Sequence, residues 1–225
     1  MRFSDRVDAG RLLGMRLAQT AWIRPIVYAL PRGGVPVGLE VAKALSAPLD
    51  LLLVRKIGVP WQRELAAASV IDGERPDIIF NEDVLKLAGL THSQIQQAAK
   101  PELQEIERRR TLYLKDQMPI SSKGRDAILV DDGIATGASL KAAIKSVRKR
   151  DPLRVIIAAP VASIDTVEDL RRLADEVICL STPSNFYAIG PHYDDFHQLS
   201  DQEVVDLLKQ APSTEGAANG AASQT

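Results

Sequence analysis

Hydrophobic residues recur along this chain in two rhythms. The continuous apolar runs PLDLLLV, DAILV, RVIIAAP and EVICL have the length and composition of strands buried on both faces, and PIVYAL is a further short β-rich run. Between them the apolar positions follow helical spacing. Near the start, Val7, Leu12, Leu13 and Leu17 fall on one face of a helix that Ser4 is placed to cap. GLEVAKAL, SLKAAIKSVRKR and DTVEDLRRLA read as the helices that alternate with the strands. That alternation predicts an α/β fold, a doubly wound, mostly parallel sheet.

Residues 58–123 break the rhythm. ELAAASVIDGERPDIIFN reads as a β-hairpin connected by DGERPD, and EDVLKLAGL as a short helix. Thr91 and Gln94 form a capping box ahead of a long helix, in which Pro101 predicts a kink or a restart. An insertion between core strands is a candidate lid. The expected organisation is one domain over 1–210, with a core at 22–57 and 124–180, a lid at 58–123 and a small C-terminal hood at 181–210. The hood contains a final helix capped by Ser200 and Glu203. The stretch 211–225 is small and polar and is expected to be disordered.

Composition narrows the function classes. Of 225 residues, 45 % are hydrophobic and 25 % charged, and the formal charge of −1 argues against a dedicated nucleic-acid binder. Cys179, the single cysteine, excludes an internal disulfide and a cysteine-based zinc site, and its apolar setting reads as a buried strand. The three histidines lack metal-ligand spacing; His192 and His197 sit among acids and are read as hood residues. The charged N-terminus is no signal peptide and no apolar run reaches membrane-spanning length, so a cytoplasmic location is the expectation.

The chemistry concentrates in ILVDDGIATGASL, residues 128–140. Asp131 and Asp132 fall at the carboxyl end of a predicted strand, where open α/β sheets bind ligands. GIATGAS then turns the chain into a helix, leaving backbone N–H groups and a helix dipole that favour a phosphate. Thr136 and Ser139 add hydroxyl donors, and Gly137 admits close approach. Two carboxylates would repel that phosphate, so they require sugar hydroxyls or the water shell of a magnesium ion. A sugar phosphate satisfies both demands. No lysine follows Gly137, so the nucleoside-triphosphate loop is excluded. A plain strand-to-helix turn with a serine cap is the bland alternative.

This string resembles the signature of type I phosphoribosyltransferases, which bind 5-phosphoribosyl-1-diphosphate (PRPP). The resemblance implies that Asp131 and Asp132 bind the ribose hydroxyls, with Mg2+ held indirectly through ligand or water. It implies that Ala135, Thr136, Gly137, Ala138 and Ser139 bind the 5-phosphate. LPRGGVPVG resembles the family's diphosphate loop, assigning Arg32, Gly33 and Gly34 to the diphosphate and making Pro31–Arg32 a candidate non-proline cis bond. Arg55 and Lys56 of VRKIG fall at the same sheet edge and could meet the diphosphate or the acceptor. FSDRVDAG, RKIGVPWQRELA and FYAIGPHYDDF resemble segments of a group of predicted phosphoribosyltransferases without a defined substrate, from which Glu64, Tyr193 and Asp195 follow as lid or hood contacts. That group leads one to expect glycine where this chain has Ala68.

The resemblance implies displacement of diphosphate from ribose C1, with Arg32 and Arg55 steadying the leaving group, Mg2+ assisting, and a homodimer as the assembly. Ala135 stands where hypoxanthine–guanine enzymes place a base-contacting aspartate, so a 6-oxopurine acceptor loses support. A sugar-phosphate sensor without turnover and a hydrolase of phosphoribosyl compounds stay open as rival readings.

Overall fold

The computed structural model describes residues 1–73, 76–115 and 117–212, apart from the side chains of Arg63 and Glu64. The chain begins with α1 (Arg6–Leu17), β1 (Ile26–Ala29), α2 (Gly34–Leu45) and β2 (Leu49–Leu51). Then come β3 (Val54–Val59), β4 (Gln62–Ile71), β5 (Asp77–Phe80), α3 (Glu82–Ala88) and α4 (His92–Leu114). It finishes with β6 (Asp126–Val130), α5 (Ala138–Arg148), β7 (Arg154–Val161), α6 (Ile164–Arg171), β8 (Glu176–Ser181) and α7 (Asp201–Leu208).

The core is a five-stranded parallel sheet in the order β2-β1-β6-β7-β8. Its runs lack polar alternation because both faces are covered. Val27, Ala29, Ile128, Val130, Ile156 and Ala158 pack with residues of α1 and α2, such as Leu13 and Val41. The intervening Tyr28, Leu129 and Ile157 pack with Leu140 and Ile144 of α5 and Val167 of α6. Helices therefore leave β1 and β6 toward opposite faces. Gly10 lets α1 lie close on α2, since a Cβ there would come 2.9 Å from Val37 Cα.

Three expectations are corrected. Asp5, not Ser4, caps α1, its carboxylate accepting the Asp8 N–H at 2.7 Å, while Ser4 donates its own N–H to Asp8. PLDLLLV is not one strand. Its pairing with β1 ends at Leu51, and from Val54 the chain joins β4 in an antiparallel sheet of order β3-β4-β5. Asp50 and Asp72 anchor the crossing: Asp72 accepts the Leu53 N–H at 2.7 Å, and Arg110 of α4 bonds both acids. Finally, α4 does not restart at Pro101: His92–Leu114 is one helix. Pro101 and Gln97 are exposed, so water can satisfy the carbonyl that the missing N–H frees.

The hairpin β4–β5 forms as expected, and Ala68 sits buried in regular pairing opposite Ile57 and Phe80; the ladder irregularity falls at Gly58 instead. The DGERPD connection includes residues 74 and 75, and the expected tail includes 213–225; these lie outside the described residues. Cys179 lies in β8 half-buried, and burial pushes its thiol up to about 11. No helix among the described residues is long and apolar enough to cross a membrane.

Candidate functional site

The carboxyl ends of β1 and β6 are neighbours whose helices depart to opposite faces, so a crevice opens between their two loops. The loop after β1 holds Pro31–Gly34 and enters α2; the loop after β6 holds Asp131–Gly137 and enters α5. The Leu30 N–H donates to the Val130 carbonyl at 2.9 Å and fixes the two loops side by side.

The second loop is braced from outside. Ile134 pairs with Ala162, and the Thr166 hydroxyl donates to the Ala135 carbonyl at 2.6 Å. Gly137 stands at φ 67°, a left-handed conformation that a side chain would resist, and a Cβ there would meet Thr166 Cγ2 at 2.8 Å. No side chain caps α5. Among the described residues, the N–H groups of Thr136, Gly137, Ala138 and Ser139 find no acceptor. They face a cavity of about 170 Å³ that Asp131, Thr136, Ser139 and Ile189 help to line. Unsatisfied amides at a helix start, with a positive dipole end behind them, form an anion cradle.

Asp131 is half-buried and Asp132 is 7 % exposed. One oxygen of each is anchored: Asp131 Oδ1 accepts the Asp132 N–H at 2.9 Å, and Asp132 Oδ2 accepts Nε of Arg6 at 2.7 Å. Burial and the charge of Asp132 push the Asp131 carboxyl well above the carboxylate range. Burial also raises Asp132, but the Arg6 guanidinium beside it works against that rise. Arg6 in turn donates to the His197 carbonyl at 2.9 Å and lies 3.9 Å over the Phe196 ring. The Tyr193 hydroxyl, its pKa raised by burial, donates to the Asp132 carbonyl at 2.5 Å.

The phosphoribosyl transferase domain family matches residues 8–196, a span that includes the two loops and the acid pair. The chain belongs to the phosphoribosyl transferase family. Two Mycobacterium tuberculosis proteins provisionally named phosphoribosyl transferases, MT0597 of strain CDC 1551 and Rv0571c of strain H37Rv, are 45 % identical over 209 residues. The match covers 93 % of this chain and 47 % of each of them, so the chain spans about half the length of these relatives. The crystal structure of TT1426 from Thermus thermophilus superimposes with a TM-score of 0.82 at 39 % identity, covering 94 % of this chain and all of that one.

Other residues singled out by the phosphoribosyltransferase resemblance fall as follows. The Pro31–Arg32 bond is cis. Gly33 packs so closely on Asp132 that a Cβ would run into its carboxylate, and a Cβ on Gly34 would lie 2.7 Å from the Val130 carbonyl oxygen. Arg32 pairs loosely with Asp201 at 3.6 Å, and Asp201 also accepts the Tyr113 hydroxyl at 2.5 Å. Arg55 is engaged by Glu102 of α4 at 2.5 Å; Lys56 is exposed on β3. Tyr193 sits under Asp132 as a hood contact, whereas Asp195 holds His197 and is exposed. The side chain of Glu64 lies outside the described residues.

No group of three or more His, Cys, Asp or Glu able to hold a metal exists among the described residues. A protein cage for magnesium is therefore missing there, whereas a ligand-borne ion suits Asp131, which makes no ion pair among the described residues. Arg6 and Phe196 were the site residues that sequence reasoning passed over. The only trace of Arg6 was its place in FSDRVDAG.

Proposed function

We propose that this protein is a phosphoribosyltransferase that binds PRPP in the crevice between β1 and β6, transfers its phosphoribosyl group to an acceptor and releases diphosphate. The reading is carried by one observation: four amides at the start of α5 find no acceptor among the described residues, a few residues from the half-buried Asp131 and the buried Asp132. A phosphate ester satisfies the amides, and the adjoining sugar hydroxyls satisfy the acids.

In this reading the loop 135–139 binds the 5-phosphate, and Asp131 and Asp132 orient the ribose. Gly33 and Gly34 admit the diphosphate close to the backbone. Arg32 is half-exposed and loosely paired, so exchanging Asp201 for a diphosphate costs little. Arg55, held by Glu102 at the mouth of the insertion, and Lys56 are assigned to the diphosphate or acceptor side. The insertion, of which Glu64 is part, closes over the site to exclude water, and Tyr193 and Asp195 hold the hood. Asp131 and Asp132 would hold a magnesium ion indirectly, through ligand or water, and that ion would supply charge neutralisation for the leaving group. The acceptor, not identified by the sequence, is a nucleobase or related compound, and Ala135 withdraws support from a 6-oxopurine. A homodimer in the cytoplasm is the expected working form.

The test is incubation with PRPP, magnesium and a panel of bases, with diphosphate release as the readout. Release that depends on one base supports transfer. Release without any base marks a hydrolase, and binding without release marks a sensor. Asp131→Ala removes a charged hydrogen-bonding group and should weaken PRPP binding about 10- to 100-fold. Unchanged binding in that variant would sink the ribose assignment.

A further inference from the structure

Asp132 cannot be treated as a free carboxylate waiting for a ligand. Its Oδ2 is taken by Arg6, its carboxylate lies against Gly33, and its own carbonyl accepts the Tyr193 hydroxyl. Arg6 is itself 8 % exposed and held on three sides: by Asp132, by the His197 carbonyl and by the Phe196 ring. A planar guanidinium gripped in this way has essentially one position. The carboxylate that it holds is therefore fixed in rotation as well as compensated in charge.

We infer that Arg6 is the positioning residue of the ribose grip: it aims Asp132 at the sugar hydroxyls and couples that aim to the seating of the hood. The inference rests on the functional reading above and names a residue that reading does not use. The hood meets the site through few side chains. Phe3 packs beneath it, its ring centroid 5.4 Å from that of Tyr193, and Tyr193 stacks on Phe196 at 5.0 Å. The Phe3 N–H donates to the His192 carbonyl at 2.9 Å, and Asp194 and Asp195 return N–H bonds to Phe3 and Ser4. Moving the hood must therefore move Phe196 and the His197 carbonyl, two of the three supports of Arg6. A hood out of place leaves Asp132 with a mobile counter-ion, and hydroxyl recognition degrades before phosphate recognition does. The phosphate loop has braces of its own in Ala162 and Thr166, and Ile189 is the hood residue that lines its cavity.

That separation gives a readout that general loosening of the fold would not produce. Affinities for ribose 5-phosphate and 2-deoxyribose 5-phosphate are measured by calorimetry on the full chain. The wild-type protein should prefer the ribose form about 10-fold or more, the worth of a hydrogen bond to a charged group. In Arg6→Gln the two affinities should converge, with that for the deoxy sugar nearly unchanged. Arg6→Lys, which keeps the charge but not the fork, should restore part of the preference. Phe196→Leu leaves Arg6 in place and withdraws one support, so it should narrow the preference even if Arg6→Gln fails to fold. A wild-type preference retained at full size in the folded variants overturns the inference and leaves the functional reading standing. A wild-type protein that binds neither pentose phosphate nor PRPP overturns both.

Discussion

At the residue scale the two adjacent aspartates are chemically alike and energetically unlike. Asp132 is the buried partner of a buried arginine, with side-chain exposures of 10 % and 9 %, whereas Asp131 makes no ion pair among the described residues. Removing one partner of a buried pair strands the other charge and typically costs about 3–5 kcal/mol. Asp132→Ala should therefore lower stability by that order in urea unfolding, while Asp131→Ala should leave it within about 1 kcal/mol of wild type. Equal losses would mean that Arg6 does not stabilise Asp132 in solution. The DD string was legible as a ligand site because its neighbours, a strand end and a Thr-Gly-x-Ser turn, lie within nine residues. The difference between its members was not legible, because it is set by Arg6, 126 positions away. An ion pair across that separation leaves no periodic trace.

At the element scale, the buried parallel strands were readable from their apolar runs. The same feature hid the boundary inside PLDLLLV, where one run serves two sheets and the change shows only in pairing partners. Caps were readable at Thr91 and Ser200, where Gln94 and Glu203 complete a capping box, and ambiguous at Ser4 and Asp5, where no glutamate or glutamine three residues on marks either one. The Ser200 cap matters for more than α7 itself. Ser200 Oγ accepts the Glu203 N–H at 3.2 Å and Glu203 answers the Ser200 N–H at 2.7 Å, which sets Asp201 between Tyr113 of α4 and Arg32. Ser200→Ala should cost about 1 kcal/mol. Hydrogen exchange should quicken across α7 while β1 and β6 keep their protection. Protection of α7 equal to wild type would show that its packing on α2 and α4, not its cap, holds it.

At the scale of the whole molecule, the insertion is tied to the core sheet by a buried charge cluster. Arg110 bonds Asp72 at 2.7 Å and Asp50 at 3.2 Å; burial opposes its charge, but the two acids outweigh burial and raise its pKa. Burial lifts Asp72 to about 6, against the pull of Arg110 and the Leu53 N–H. An unfolded aspartate titrates near about 3.9, so between about pH 4 and pH 6 the folded chain holds a proton that the unfolded chain has released. Stability should fall across that window as pH rises, by about 2–3 kcal/mol from this group, and level off above it. Comparing urea midpoints of wild type and Asp72→Asn at pH 4.5 and pH 7 isolates the effect: the variant should lose the share of Asp72 and keep that of Asp131 and Asp132, whose carboxyls burial also raises. A slope of undiminished size in the variant would assign it to other groups. The N-terminal stitching of the hood bears on how the protein is made. Phe3 and Arg6 leave the ribosome long before Tyr193 and Phe196. The nascent sheet can assemble with its anion cradle while the sugar end stays unfinished, so competence arrives only once the hood has emerged.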